Sequence, residues 1–193
     1  MSKEKMVIMS GKTRIKTLIV SFVVTALIVS GCWNPFSPKT EESQGIQYHN
    51  PVDSAYKVLE NLQYAYISRD IGHYLACFRD DFEFHLLEID WDDYTGNGVI
   101  DEYWGLDLEE EFHISMFNST NVTTIDLTLS GSSQYPWTGD STGQSLQLDR
   151  TFNLKVYTLD GGFIASGTAL FICREDTSSG EWYIWQWWDL SDT

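Results

Sequence analysis

The run 50-NPVDSAYKVLENLQYAYISRDIGHYLACFRDDFEFHL-86 changes its hydrophobic period once, near Asp81. Before that point Val52, Tyr56, Leu59, Leu62 and Tyr66 recur at intervals of three and four, which places them on one face of an α-helix. Asn50-Pro51 is expected to open this helix, with Asn as the cap and Pro at the first helical position, where its missing N–H costs nothing. Ser68-Arg69-Asp70 interrupts the stripe. Asp70 can cap a second, short helix carrying Tyr74, Cys77 and Phe78. From Asp81 onward Phe82, Phe84 and Leu86 alternate with Glu83, His85 and Leu87, the period of a strand. Two closely joined helices therefore lead directly into a sheet.

The rest of the chain extends this pattern. Residues 90–104 form a loop rich in Gly and acids. Asp107-Leu108-Glu109-Glu110 has the form of a capping box, and Glu109, Glu110 and Glu111 suit the positive end of a helix dipole. Leu108, Phe112 and Met116 are the expected buried face of this third helix. Thr123, Ile125, Leu127 and Leu129 share one strand parity. A polar loop follows, then two strands on either side of Asp160-Gly161-Gly162, a hairpin turn signal. Trp182 to Asp189 supplies a closing strand. The order helix, helix, strand, helix, four strands predicts an α+β fold with a mainly antiparallel sheet.

The segments Val58 to Tyr66, Arg69-Asp70, Tyr74 and Phe78 to Phe84, with Trp182-Tyr183-Ile184, Trp187 and Asp189 at the far end, carry a resemblance. They resemble the nuclear-transport-factor-2-like superfamily of SnoaL-like or cystatin-like domains, over about residues 51–189. The resemblance implies a curved sheet forming a cone around N-terminal helices and enclosing an apolar pocket. Members include isomerases, dehydratases, polyketide cyclases and domains with no known reaction, so the likeness implies a fold and leaves the function open. Enzymes of the superfamily place an acid/base carboxylate or His and a Tyr donor inside the cone. Carried to this chain, that implies His85, Asp189, Tyr66 and Tyr74 as candidates, although neither the Tyr-Asp-Asp pattern of the isomerases nor the His-rich pattern of the dehydratases maps onto them one by one.

Upstream, residues 1–31 hold five basic residues against Glu4, then the apolar run Thr17 to Val29 and Ser30-Gly31-Cys32. Basic start, apolar middle and small residues at the end make an export signal. At 13 residues the apolar run falls short of the roughly 20 that span a bilayer. Val29-Ser30-Gly31-Cys32 resembles the lipobox of bacterial lipoproteins, which implies cleavage after Gly31 and a lipid on the Cys32 thiol. Trp33, where an Asp would favour retention at the inner membrane, implies the outer membrane in a cell with two. Residues 32–50 read as a lipidated Cys and tether, 51–189 as the domain, and 190–193 as a tail.

The whole chain has 193 residues and a formal net charge of -16; without residues 1–31 it has 7 basic and 27 acidic residues, a net of -20. Nucleic acid is not expected as a partner, because phosphate binding needs clustered Lys and Arg. Residues 80–149 contain sixteen acids and no Lys or Arg, a distribution that attracts cations or basic partners. An aromatic fraction of 15% excludes a disordered acidic tail.

Other features point to chemistry less directly. Asp93, Thr95, Asn97 and Asp101 occupy positions 1, 3, 5 and 9 of a calcium-loop pattern around Gly98. Position 12, normally a bidentate Glu, is Trp104. No other cofactor is suggested. Alternation sends Trp182, Ile184 and Trp188 to one face of the last strand and Trp185 and Trp187 to the other, so that Trp185 and Trp187 are candidates for a ligand or partner surface. Cys77 and Cys173 are either buried apolar residues or a disulfide. The leading expectation is a lipid-anchored domain that binds a small ligand or envelope partner without doing chemistry. The alternatives are an isomerase or dehydratase and a structural envelope component.

Overall fold

The computed structural model describes residues 45–140 and 144–191, and the packed unit begins at Ile46. The expected signal sequence, Cys32, most of the expected tether and the last two residues lie outside the described residues.

The first helix, α1, is Ala55–Ser68. It starts later than Asn50-Pro51 because the preceding residues are bonded elsewhere. His49 exchanges two hydrogen bonds with the Asn61 side chain, at 2.8 and 3.0 Å, and the Val52 carbonyl accepts from Trp182 N at 2.8 Å. Residues 46–50 therefore belong to the domain. Val58, Leu59, Leu62, Ala65 and Tyr66 form its buried face. The helix ends at Arg69, which adopts a left-handed φ of 57°. The guanidinium of Arg69 then bonds the carbonyls of Phe117, Ser119 and Val122. Asp70 caps α2, Ile71–Leu75, by accepting from His73 N at 3.1 Å. That helix stops before Cys77 and Phe78, contrary to the sequence reading, because the Cys77 carbonyl accepts from Ile184 N at 2.8 Å and draws the chain into the sheet.

Strand β1 is Phe78–His85, followed by a single 3-10 turn and the short β2, Tyr103–Gly105. Helix α3, Leu106–Asn118, has Gly105 rather than Asp107 at its N-cap. Its buried residues are Glu109, His113 and Phe117. The expected stripe of Leu108, Phe112 and Met116 is one residue, about 100°, out of phase with this face.

The remaining strands are β3 (Val122–Ser130), β4 (Gln134–Pro136), β5 (Ser145–Thr158), β6 (Gly161–Glu175) and β7 (Trp182–Ser191). They complete a seven-stranded sheet in the order β2-β1-β7-β6-β5-β3, with β4 also on β5. Among the described residues only the β1–β7 pairing is parallel. Thr158 pairs with Gly161 across the β5–β6 turn, and Gly161 takes a φ of 147° that a side chain would disfavour. The sheet curves without closing, and its inner face packs on α1 through Leu62, Ala65, Leu148, Phe171 and Ile184. The fold is the expected α+β architecture, a curved, mainly antiparallel sheet packed on N-terminal helices.

One irregularity changes which side chains face inward. The β6–β7 register shifts between Ile172 and Cys173, opposite Gln186 and Ile184. The extra residue on β7 is Trp185. Beyond such a bulge the inward parity reverses, so Trp182, Ile184 and Trp187 all pack toward the core. Trp185 instead lies under Arg174, 3.6 Å from its guanidinium carbon, and Trp188 stacks on His85. The sequence-based pairing of Trp185 with Trp187 on one face is therefore corrected. Cys77 and Cys173 are free and buried.

Candidate functional site

The curvature of the sheet leaves a cavity of about 340 Å³ between its inner face and the helices. Phe84 of β1, Trp104 of β2, Leu127 of β3, Phe152 and Leu154 of β5, Ala165 of β6 and Trp187 of β7 supply apolar walls. Helix α3 adds Phe112 and Met116. Their out-of-phase position on α3 thus turns them toward the cavity.

One wall differs. Tyr66 of α1, with Glu109 and His113 of α3, presents a chain of titratable groups, and Asp189 of β7 also lines the space. Glu109 is 1% exposed, a burial that would strongly disfavour a carboxylate without donors. Three side chains supply them. The Tyr74 hydroxyl donates to Oε1, Trp104 Nε1 donates to Oε2 at 2.7 Å, and His113 Nδ1 lies 3.3 Å from Oε1. His113 Nδ1 is also 2.9 Å from the Glu109 carbonyl oxygen. Both neighbours of Nδ1 only accept, so this nitrogen carries the proton. In the neutral ring Nε2 is then an acceptor, and the Tyr66 hydroxyl stands 2.5 Å from it. The tautomer follows from the partners.

Aromatic packing fixes these groups. The His113 ring stacks on Tyr74 at 4.1 Å, with Tyr66 and Phe117 edge-on to it at 5.2 and 5.5 Å. Burial, and then the charge of Glu109, raises the phenol pKa of Tyr66 and Tyr74 far above its ordinary value. Both hydroxyls thus remain proton donors.

The sequence candidates separate cleanly. Tyr66 and Asp189 line the cavity, and Tyr74 stands behind it as a donor to Glu109. His85 is on the opposite face of the sheet, stacked on Trp188 at 3.7 Å, with Nε2 3.1 Å from Glu83 Oε2. Its neighbour Phe84 points inward, so strand alternation turns His85 away from the cone. Burial lowers its pKa, opposed by the Glu83 carboxylate. Trp187 is a cavity wall, whereas Trp185 is on the outer face.

Glu109 and His113 escaped the sequence reading. An acid in the first turn of a helix reads as a dipole partner, and a His flanked by Phe112 and Ile114 has no distinguishing spacing. Their separation of four residues, which puts both on one helical face, was the available signal.

The candidate calcium loop forms a self-contained turn. Asp93 accepts from Asn97 N and Gly98 N at 2.9 and 2.8 Å, and Asp101 Oδ2 accepts from the backbone and hydroxyl of Thr95 at 3.1 Å each. Asn97 Oδ1 accepts from Val99 N. Among the described residues no group of three or more His, Cys, Asp or Glu side chains is placed to hold a metal ion.

The sequence matches no family model and no curated protein. Its structure is similar to several solved ones. A protein from Novosphingobium aromaticivorans assigned as a scytalone dehydratase superposes with a TM-score of 0.54 at 9% identity, covering 72% of this chain and 81% of the other. One assigned as an aromatic ring hydroxylase, from the same organism, gives 0.51 at 18% identity over 69% and 82%. An uncharacterised protein with a cystatin-like fold from Caulobacter vibrioides gives 0.50 at 13% identity over 75% and 92%. At these identities the likeness establishes the fold.

Proposed function

We propose that the cone binds a small, largely apolar molecule and that His113 exchanges a proton with it. The observation that carries this reading is a buried Glu109–His113–Tyr66 chain opening onto an otherwise apolar cavity. A wall built only for stability would be served by apolar residues, since burying an ion pair rarely stabilises a core. In the proposed reaction the Tyr66 hydroxyl turns from His113 to a carbonyl oxygen of the ligand. His113 Nε2 accepts a proton from the adjacent carbon, and Glu109 stabilises the imidazolium through Nδ1–H. The Tyr66 O–H holds the enolate oxygen. Return of the proton to another carbon is an isomerisation; loss of a neighbouring hydroxyl as water is a dehydration. The scytalone dehydratase assignment of one structural neighbour agrees with this class.

A second reading, ligand binding without chemistry, is favoured by one contact: Tyr66 occupies Nε2 of His113. The two share a first test. Trp104 and Trp187 line the cavity, so titration of the full-length protein with 2-tetralone should quench its fluorescence saturably. Ala165→Leu, which fills the space, should weaken binding at least tenfold. Absence of saturable quenching by tetralone and by smaller cyclic ketones would sink both readings.

We further propose that lipid on Cys32 tethers the domain to an extracytoplasmic membrane face. The reading rests on the order of basic, apolar and lipobox segments. Radiolabelled palmitate should enter the wild type and be lost in Cys32→Ala; an unlabelled wild type contradicts the anchor.

A further inference from the structure

A second pocket, of about 260 Å³, lies between the flank of α1, the C-terminal end of β3 and the part of β5 beside it. It shares no residue with the apolar cone except through the strands that carry both. Its lining includes Tyr56, Glu60, Gln63, Tyr64, Gly131 and Arg150. Arg150 is 4% exposed and is the first basic residue after a stretch of seventy residues without one.

The hydrogen bonding of this guanidinium is one-sided. Nη1 donates to the carbonyls of Ser133 and Asp149, at 2.9 and 2.8 Å. Nε and Nη2 have no acceptor among the described residues, and neither is among the nitrogens sealed from solvent without a partner. The residue lines the pocket. No carboxylate of the described residues lies within 4 Å of the group. A buried cation whose counter-charges are not in contact with it is costly, and the Nε–Nη2 edge is the fork that receives two carboxylate oxygens side by side. Neighbouring residues hold the space open. Gln63 Oε1 accepts from Leu129 N at 2.9 Å and fixes α1 against β3. Gly131, at a φ of 107°, keeps a side chain off the Asp149 carbonyl that holds Arg150.

Glu60 narrows the ligand. Its carboxylate lines the same pocket, with Oε2 2.7 Å from His49 Nε2. An acid lining the same pocket as the guanidinium disfavours a doubly charged anion such as phosphate. It favours a single carboxylate whose neighbouring substituent is a hydrogen-bond donor. We infer that this pocket is a binding site for a small α-hydroxy or α-amino carboxylate, with Arg150 receiving the carboxylate and Glu60 the hydroxyl or ammonium group.

The test is calorimetric titration of the full-length protein with L-lactate, L-alanine, acetate, inorganic phosphate and the neutral analogue lactamide. L-lactate or L-alanine should bind at least tenfold more tightly than acetate and phosphate, with no heat from lactamide. Arg150→Lys keeps the charge but loses the fork, and should weaken binding of the preferred ligand at least tenfold while leaving the circular dichroism and melting temperature near wild type. Glu60→Gln should erase the preference over acetate. Should Arg150→Lys fail to fold, titration of wild-type protein labelled with ¹⁵N-arginine supplies the same information, the Arg150 Nε–H resonance shifting with lactate and not with lactamide. Equal binding of lactate and lactamide, tighter binding of phosphate, an unshifted Arg150 resonance or no binding of any probe would overturn the site.

Discussion

Three side chains hold the Glu109 carboxylate in a nearly water-free place, and two of them, Tyr74 and His113, are stacked on one another at 4.1 Å. Removing one donor should therefore cost more than an average hydrogen bond. Tyr74→Phe leaves Glu109 Oε1 short of its hydroxyl partner and is expected to destabilise the fold by about 1–3 kcal/mol in chemical denaturation. The same tyrosines set the response to alkali. Burial raises the pKa of Tyr66 and Tyr74 in the folded state, and it pushes the Cys77 thiol up to about 12 and that of Cys173 higher still. A group with a raised folded pKa contributes its full stability below its unfolded value and loses it as the pH climbs toward the folded one. Stability should thus begin to decline near pH ~8.5, where unfolded thiols ionise, and fall more steeply above about pH 10, where unfolded tyrosines do. In Tyr66→Phe and Tyr74→Phe the slope above pH 10 should be shallower; an unchanged slope would refute the assignment of the buried phenols.

Among the elements, the turn at Arg69 joins the two halves of the site. Arg69 ends α1 in a left-handed conformation, and its guanidinium holds the carbonyls of Phe117, Ser119 and Val122 at the C-terminal end of α3. Two effects oppose one another there. Glycine would relieve backbone strain of about 1 kcal/mol. It would also delete several charge-assisted bonds worth about 1.5–3 kcal/mol each. The bonds should win, so Arg69→Gly is expected to lower stability by about 2 kcal/mol or more; a neutral or stabilising result would show that the clamp is slack. Elements of this kind were legible in the sequence where a single periodicity ran unbroken: the Leu59–Tyr66 stripe, the Asp70 cap and the Phe82–His85 alternation all reappear. Where a tertiary contact overrules local pattern, the structure departs from the periodicity. Val52 bonded to β7 instead of opening α1, and the Trp185 bulge reversed the inward side of β7. Within the site, Tyr66 and Asp189 could be named through a family likeness, whereas Glu109 and His113 could not. Burial of Glu109 depends on the Tyr74 hydroxyl of α2, which is remote in sequence, and on the way β2 turns Trp104 back onto the carboxylate.

At the scale of the whole molecule, a strongly acidic chain encloses a cone with apolar walls and one polar edge. The negative charge, dense between residues 80 and 149, repels anions at long range. Salt screens such a field beyond about 8 Å under physiological conditions, so local groups decide what binds inside. The chemistry of the cone turns on whether the polar edge moves protons. The direct measurement is NMR of 2-indanone in D₂O with the full-length protein, following loss of the α-hydrogens. Wild type is predicted to accelerate deuteration at least tenfold over buffer, and His113→Gln to abolish the acceleration while the ketone still quenches tryptophan fluorescence. Equal deuteration rates with wild type and His113→Gln, in protein that binds the ketone, would contradict the proton-transfer claim and leave the cone as a binding pocket alone.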